Sequence, residues 1–380
     1  MGKLIPFNAP YVPEASKKYV LEALESNHQQ GDGPFTAKVS KIVSNLVGGG
    51  HVLLTPSCTH ALEIASMLTN IGPGDEVILP SYTFTSAATA VTKFGATPVF
   101  VDIEMDTKGI DVNQVRDAIT PRTKAISWVN YAGVAPDIEG LQSLAKEFGL
   151  ILIEDNAHGL GGTYKGKPLG SFGDFATQSF HATKNIQCGE GGALVINNTK
   201  FIERAEIIRE KGTDRSKYIR GEVQKYQWVD QGSSYLLAEA LAAILLGQLL
   251  SFQDIQKSRE KICRKFMDLQ MPQDSTWNTA AANLVAHMFY IQFSVDKEAL
   301  FFKKEMKSRG IQINSHYEPL SNSLFSKKNL DVVLDAEKSN KVSRTLVRLP
   351  VWFGMNELTL NRIFEETKTV LHRVMIGDIN

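Results

Sequence analysis

The sequence predicts an α/β fold in which a large domain with a mostly parallel β-sheet is followed by a smaller α+β domain. Between Val52 and Ile196, short apolar runs alternate with amphipathic segments, and a repeated strand–helix order favours parallel strands covered by helices. After about Leu250 the pattern changes to charged helical segments separated by isolated strand-like runs. We therefore expect a large domain with an N-terminal arm over residues 1–250 and a small domain over residues 251–380.

Seven apolar runs in the large domain are short enough to be strands. They are VLL (52–54), EVIL (76–79), PVFV (98–101), KAISWV (124–129), LILIE (150–154), FATQSF (175–180) and ALVI (193–196). The segments between them have helical spacing; for example, apolar residues at Ile138, Leu141, Ala145 and Phe148 form one stripe. In such a sheet, ligands bind beyond the carboxyl ends of the parallel strands.

The rest of the chain supplies a buried helix and then the small domain. The apolar stretch from Tyr235 to Leu250 contains Glu239 and Gln248 and is shorter than the roughly 20 residues that a bilayer span needs, so we interpret it as a buried helix. Beyond it we predict helices over 253–266 and 297–310, strands over HMFYIQF (287–293) and IQINSHY (311–317), and a final helix after Met355.

Composition excludes several classes of function. The 380 residues contain 41 Lys plus Arg and 41 Asp plus Glu, so no net charge attracts nucleic acid or an anionic membrane. The three cysteines are too far apart in sequence for a disulfide framework or a zinc site. The N-terminus has no apolar signal segment. We expect a cytoplasmic protein that binds no metal.

Asp155 and His158 follow the predicted strand LILIE directly. A carboxylate at the carboxyl end of a buried strand faces the ligand crevice, where it favours the protonated form of a bound heteroaromatic nitrogen. The alternative is an ordinary turn or helix-capping aspartate, and a lone histidine is more often structural.

Lys184 lies between two predicted strands, in a segment rich in glycine. Such a lysine is usually solvated. Desolvation and nearby cations, however, lower the pKa of an amine and make it able to form a Schiff base with an aldehyde.

Two further strand ends carry candidate ligand contacts. Ser57, Cys58 and Thr59 stand where a strand turns into a helix, a place suited to phosphate because of its free N–H groups, although helix capping explains the same residues. Phe84 follows the next strand and is a candidate lid over a flat ring, or else a core residue. The sequence has no GxGxxG after a strand and no P-loop, so neither a dinucleotide site nor a nucleoside triphosphate site of those kinds is indicated.

The order of phosphate turn, aromatic residue, aspartate and lysine resembles the fold-type I pyridoxal-phosphate enzymes, specifically the DegT/StrS family of sugar-nucleotide aminotransferases. Segments such as LLTPSCT, GDEVILPSYTF, SFHATKN and HMFYI are most similar to the dTDP-4-oxo-6-deoxyglucose aminotransferases of that family, which make dTDP-4-amino-4,6-dideoxygalactose for surface polysaccharide such as lipopolysaccharide.

The resemblance implies a role for each candidate residue. Lys184 is the lysine that forms the Schiff base with pyridoxal 5'-phosphate, Asp155 pairs with the pyridine nitrogen, and Phe84 stacks on the ring. The remaining implied cofactor contacts are Cys58, Thr59 and Ser179 at the phosphate, His158 at the ring hydroxyl and Ser234 from the partner subunit. His158 stands where many relatives have glutamine, and Ser234 stands where many have asparagine.

The same resemblance implies the substrates and the assembly. L-glutamate donates the amino group, and the acceptor is the C4 ketone of dTDP-4-oxo-6-deoxy-D-glucose. Arg215 and Arg220 in a basic segment are candidate diphosphate contacts or a solvated loop, and His316 and Tyr317 are candidate sugar contacts. We expect a homodimer with shared sites.

Three alternatives to this substrate and activity were considered. They are a 3-keto sugar substrate, a sugar-nucleotide dehydratase, and a non-catalytic cofactor-binding regulator. The dehydratases that resemble this family have histidine in place of the lysine or bind an iron–sulfur cluster. Lys184 and the three scattered cysteines therefore disfavour a dehydratase. The sequence leaves open whether the new amine is axial or equatorial.

Overall fold

The computed structural model describes residues 4–278, 285–330 and 336–379. The elements of the first 250 residues are α1 (Glu14–Glu25), α2 (Pro34–Leu46), β1 (His51–Thr55), α3 (Cys58–Leu68), β2 (Glu76–Pro80), α4 (Thr85–Thr92), β3 (Thr97–Val101), α5 (Val112–Ala118), β4 (Thr123–Val129), α6 (Ile138–Phe148), β5 (Ile151–Asp155), β6 (Thr163–Tyr164), β7 (Lys167–Pro168), β8 (Phe175–Ser179), β9 (Gly192–Ile196), α7 (Ile202–Arg209), α8 (Arg215–Ile219) and α9 (Glu239–Leu250).

The remaining elements are α10 (Phe252–Met267), β10 (Thr276–Trp277), β11 (Phe289–Gln292), α11 (Asp296–Ser308), α12 (Leu324–Asn329), α13 (Glu337–Thr345), β12 (Leu346–Leu349) and α14 (Glu357–Met375).

Within the described residues, the larger sheet has seven strands in the order β1-β9-β8-β5-β4-β2-β3. The four pairings from β8 to β3 are parallel, and β9 runs antiparallel to both of its neighbours. These seven strands are the seven predicted runs, so the mostly parallel α/β sheet is confirmed. The carboxyl ends of β1, β2, β4, β5 and β8 therefore meet at one edge of the sheet.

The α6 helix shows how local sequence sets an element. Asp137 caps it by accepting the N–H of Gly140, and Gly149 ends it in the left-handed conformation with φ of 69°. Ile138, Leu141 and Ala145 are buried as predicted. Phe148, the last residue of the helix, is 44% exposed, so its predicted place in the buried stripe was wrong.

The apolar stretch before residue 250 forms α9, whose inner face is buried as expected. Glu239, fully buried, accepts backbone N–H groups from Gly33, Phe35 and Thr36 at the start of α2. This carboxylate therefore caps a helix that lies about 200 residues away in sequence. In the described part of the chain, no helix combines the length and apolarity that crossing a bilayer requires.

The elements after residue 250 form a second sheet, β10-β11-β12, with both pairings antiparallel. The predicted strand over 311–317 is wrong, because its backbone makes only single bridges, from Ile311 to Ile5 and from Asn314 to Arg348. The strand next to β11 is instead β12, which we did not predict. The domain boundary at residue 250 stays a prediction.

The N-terminal arm joins the two halves of the molecule. Ile5 exchanges backbone hydrogen bonds with Gly310 and Gln312 and packs into the core of the second half. Three residues later, the Asn8 side chain donates to the carbonyl of Ala182 in the first half. The arm thus passes the edge of the large sheet where the strand ends meet.

Candidate active site

A cavity of about 630 Å³ lies at the carboxyl ends of the parallel strands, between the large sheet and the second half of the chain. This volume is within the usual range for a small-molecule site. Nine of the predicted site residues line it together: Cys58, Thr59, Phe84, Asp155, His158, Ser179, Lys184, His316 and Tyr317. The residues predicted at the strand ends therefore lie together in one cavity.

Lys184 reaches this cavity from the loop between β8 and β9. Its backbone N–H donates to the carbonyl of His181, and its ammonium group has no hydrogen-bond or ion-pair partner among the described residues. Desolvation lowers the pKa of Lys184 to about 8, and the charge of Arg348 acts in the same direction while Asp155 opposes it. The neutral form of this amine is therefore more populated near physiological pH than that of an exposed lysine, although the charged form still predominates.

Asp155 ends β5 and is buried. Its Oδ1 accepts the N–H of Ala157 at 3.0 Å, an ordinary turn bond, and lies 4.0 Å from the thiol of Cys58. Burial raises the pKa of Asp155, while the Ala157 N–H and Lys184 counteract this. Oδ1 of Asp155 therefore has a structural role in the turn. Oδ2 has no partner among the described residues and is available to a ligand.

The turn after β1 has the geometry of an anion site. Ser57 caps α3 by accepting the N–H of His60 at 3.2 Å, and Cys58 and Thr59 border the cavity. A Cβ on Gly192 would lie 2.3 Å from the carbonyl carbon of Ser57. Only glycine therefore lets β9 approach this turn so closely. Burial raises the pKa of Cys58 well above its usual range, so the thiol stays protonated.

The opposite wall is a stack of rings. His158 lies 4.3 Å from His287, its Nδ1 accepts the N–H of Ala132, and its Nε2 is 3.3 Å from the Tyr317 hydroxyl. Burial holds the pKa of His158 well below its ordinary value, so the ring is neutral. Phe84 is 56% exposed beside the cavity, with its ring 6.1 Å from that of Tyr317.

Sequence reasoning missed His287 and Arg348, which line this cavity, and Tyr131, which bonds to the lining residue His316. Tyr131 donates to or accepts from Nδ1 of His316 at 2.7 Å, and His287 Nδ1 bonds to Asn185 Oδ1 at 2.7 Å. Arg348 also lines the cavity. Tyr131 begins the segment YAGVA (131–135), and His287 begins the segment HMFYI (287–291). These aromatic and histidine residues were the available signal, whereas Arg348 had none.

Arg215, Arg220 and Ser234 do not border this cavity of the single chain. Arg220 pairs with Glu206 at 2.8 Å and Glu222 at 2.7 Å, while Arg215 is 3.9 Å from Glu210. Ser234 is exposed and forms a single bridge to Glu210. Their predicted contacts with diphosphate or a partner subunit stay predictions.

The residues present fit pyridoxal 5'-phosphate. The cavity supplies a desolvated amine at Lys184, a carboxylate oxygen without a protein partner at Asp155, and a helix start with free N–H groups at Cys58 and Thr59. Phe84 provides an open aromatic face. These groups match an aldehyde, a pyridine nitrogen, a phosphate and a flat ring, respectively.

Three solved structures are similar to the whole chain. Spr1654 from Streptococcus pneumoniae, provisionally assigned as a sugar aminotransferase and solved in its PMP form, has a TM-score of 0.89 and 27% identity, covering 99% of this chain and 100% of that chain. PseC from Helicobacter pylori, an aminotransferase of pseudoaminic acid biosynthesis, has a TM-score of 0.86 and 25% identity, and the match covers 97% of this chain and 100% of that chain. The 3-amino-5-hydroxybenzoic acid synthase has a TM-score of 0.83 and 25% identity, and the match covers 96% of this chain and 100% of that chain.

The family comparison agrees with the geometry. The model of the DegT/DnrJ/EryC1/StrS aminotransferase family matches residues 10–368, which include every group of the cavity that fits the cofactor. The chain therefore belongs to the DegT/DnrJ/EryC1/StrS aminotransferase family and is a pyridoxal-phosphate-dependent sugar aminotransferase.

Proposed function

We propose that this protein transfers the amino group of L-glutamate to the C4 ketone of dTDP-4-oxo-6-deoxy-D-glucose, giving a dTDP-4-amino-4,6-dideoxyhexose. The sequence resemblance favours dTDP-4-amino-4,6-dideoxygalactose, a precursor of lipopolysaccharide, as this product. The observation that carries the chemistry is the convergence of Lys184 and Asp155 in one cavity. The choice of sugar is supported by the sequence segments that resemble enzymes acting on this substrate and by a neutral, hydrogen-bonding wall.

Lys184 moves the proton in both half reactions. When bound, the cofactor supplies an electron sink for the carbanion formed at the amino-bearing carbon. With a pKa of about 8, the Lys184 amine accepts that proton and returns it near neutral pH, as a general base requires. Asp155 would pair with the pyridine nitrogen of the bound cofactor and favour its protonated form, and the burial of this carboxylate limits the water that would weaken the interaction.

The wall formed by His158, His316 and Tyr317 suits a deoxysugar ring. Burial lowers the pKa of both histidines and raises that of the tyrosine, so all three side chains are uncharged at neutral pH. Neutral donors and acceptors pair with hydroxyl groups without the desolvation cost of a charge. The enclosed rings also give the apolar C6 methyl group a surface to pack against.

Product analysis tests the choice of substrate. The purified protein is incubated with L-glutamate and dTDP-4-oxo-6-deoxyglucose, and the product is examined by NMR; we expect nitrogen at C4, and the H4 coupling constants report whether it is axial or equatorial. The matched control is the 3-oxo isomer, which should not react. Amination at C3, or no amination of either sugar, would contradict the proposed substrate.

Chemical trapping tests the lysine separately. Borohydride reduction of the loaded protein followed by peptide mapping should place the cofactor on Lys184, and Lys184→Ala should keep its fold yet lose both half reactions. Lys146→Ala serves as a control, because Lys146 is an exposed lysine of α6. Label on another lysine would refute the assignment.

A homodimer is the assembly we propose. The segment over 218–229 exposes large apolar side chains next to Arg220, with Trp228 79% and Ile219 63% exposed. A second copy of the chain would cover this surface and bring Ser234 toward a neighbouring site. Light scattering should give twice the 42.0 kDa chain mass, and Trp228→Ser should weaken association; a monomer with full activity would refute shared sites.

A further inference from the structure

Arg348 places a cation in the cavity that pairs with no anion in the described part of the chain. Its Nε donates to the carbonyl of Ser315 at 3.2 Å, and its guanidinium carbon lies 4.9 Å from the centre of the Phe7 ring. The two terminal nitrogens have no hydrogen-bond partner, and no carboxylate lies within 4.0 Å, among the residues that the structure describes. Because an arginine is charged at all relevant pH values, this side chain is a cation that lacks an anionic partner among the described residues.

The second cavity arginine differs in this respect. Arg259 is buried, and its guanidinium donates to the backbone carbonyls of Ala286 and His287. These hydrogen bonds hold the loop before β11 in place. Arg348 makes one such contact, so the outer face of its guanidinium fork is free for a ligand.

Among the residues placed by the structure, no carboxylate acts on the charge of Arg348. Its partly buried side chain faces tyrosines whose pKa values burial raises, Tyr82, Tyr131 and Tyr317, so these phenols are neutral. Of the two carboxylates that line the cavity, Asp155 lies beside Lys184 and Glu190 is 3.6 Å from His181. A partly desolvated cation without a partner is costly, and a ligand carboxylate removes that cost.

We propose that Arg348 is the binding residue for the α-carboxylate of the amino donor, an inference that rests on the proposed aminotransferase function and specifies the donor half of the site. The planar guanidinium forms two parallel hydrogen bonds with a carboxylate. Phe7, stacked on the guanidinium, and the Ser315 carbonyl fix the plane of this fork.

Position favours the donor carboxylate over the diphosphate of the sugar nucleotide. Arg348 is close enough to Lys184 for its charge to act on that amine, so it lies near the carbon that reacts. In an α-amino acid the carboxylate is bonded directly to that carbon. In the sugar nucleotide the whole width of the sugar ring separates C4 from the diphosphate, which must therefore bind farther from Lys184.

The test measures the two half reactions of the cofactor-loaded protein separately by the absorbance of the cofactor. In Arg348→Met we expect the second-order rate constant with L-glutamate to fall by about 100-fold or more, as for the loss of a charge-assisted pair. The constant with dTDP-4-oxo-6-deoxyglucose should change less than about fivefold. The matched control is Arg344→Met, whose arginine is 60% exposed and paired with Asp296 on the same half of the molecule.

A donor without the α-carboxylate makes the test specific. The compound 4-aminobutyrate keeps the amine and the distal carboxylate of glutamate but lacks the α-carboxylate. Arg348→Met should therefore change its slower reaction by less than about fivefold, the residual change coming from the lost charge near Lys184. Binding of glutarate, measured by calorimetry on the loaded protein, should weaken by about 30-fold or more. Arg348→Lys, which retains the charge without the fork, should give intermediate values, and thermal unfolding shows whether each variant is folded.

Three results would overturn the proposal: equal losses with L-glutamate and 4-aminobutyrate, a loss confined to the sugar nucleotide, or unchanged glutarate binding in folded Arg348→Met. The last result would stand even if the substrate assignment were wrong, because glutarate binding involves no sugar. Conversely, failure of the wild-type protein to aminate the 4-oxo sugar, with glutarate binding still dependent on Arg348, would refute only the proposed acceptor.

Discussion

Replacing Lys184 by methionine should stabilise the cofactor-free protein at neutral pH. Burial lowers the pKa of Lys184 from 10.5 to about 8, which means that the folded state disfavours its charged form. At about 1.4 kcal/mol for each pKa unit, this fall corresponds to a ceiling of about 3 kcal/mol. Since the ammonium group borders an open cavity, where water screens it, we expect a gain of about 1 to 2 kcal/mol.

The sign of this effect depends on pH in a defined way. Below pH 8 the lysine is charged in both the folded and the unfolded chain, so the folded state bears the whole cost. Between pH 8 and about 10.5 the unfolded chain binds the proton and the folded one does not, so the wild-type free energy of unfolding rises with pH. The advantage of Lys184→Met is therefore largest at neutral pH and disappears in alkali.

Urea denaturation of both cofactor-free proteins between pH 7 and pH 10 measures this difference. Lys146→Met provides the matched control, because Lys146 is exposed on α6 and its replacement should shift stability by less than about 0.5 kcal/mol at every pH. A Lys184→Met protein that is less stable than wild type at pH 7, or a difference that does not change with pH, would refute the electrostatic reasoning.

Three further changes test other parts of the structure. Asp155→Asn should lower turnover by about 100-fold or more while borohydride still labels Lys184, because the charge opposite the nitrogen is lost; unchanged turnover would make this carboxylate structural. Gly192→Ala should accelerate cofactor release in dialysis, since its Cβ would lie 2.4 Å from the Cys58 nitrogen, whereas Gly72→Ala meets nothing within 4 Å. Glu239→Ala should cost about 3 kcal/mol or more in urea unfolding, as three buried N–H groups lose their acceptor; equal stability of this variant and the exposed Glu139→Ala would contradict that role.

Local sequence patterns located the strands because burial acts on each segment separately. A strand covered on both faces needs a run of apolar residues whatever lies beside it, which is why all seven runs of the large sheet were found. The run over 311–317 has the same local pattern, yet its backbone pairs singly with Ile5 and Arg348. Pairing partners are not encoded in the segment itself, so this prediction was wrong.

The sequence by itself determined that the candidate catalytic residues come together, because parallel strands bring their ends to one edge and Asp155, Lys184 and the turn at Cys58 each stand at such an end. Only the tertiary structure decided the opposite wall. His158 and Tyr317 meet across 159 positions, Tyr131 and His316 across 185, and Arg348 enters the cavity from a strand of the second sheet. These contacts depend on how the hydrophobic cores beside the two sheets pack together, and no local pattern in the chain encodes that packing.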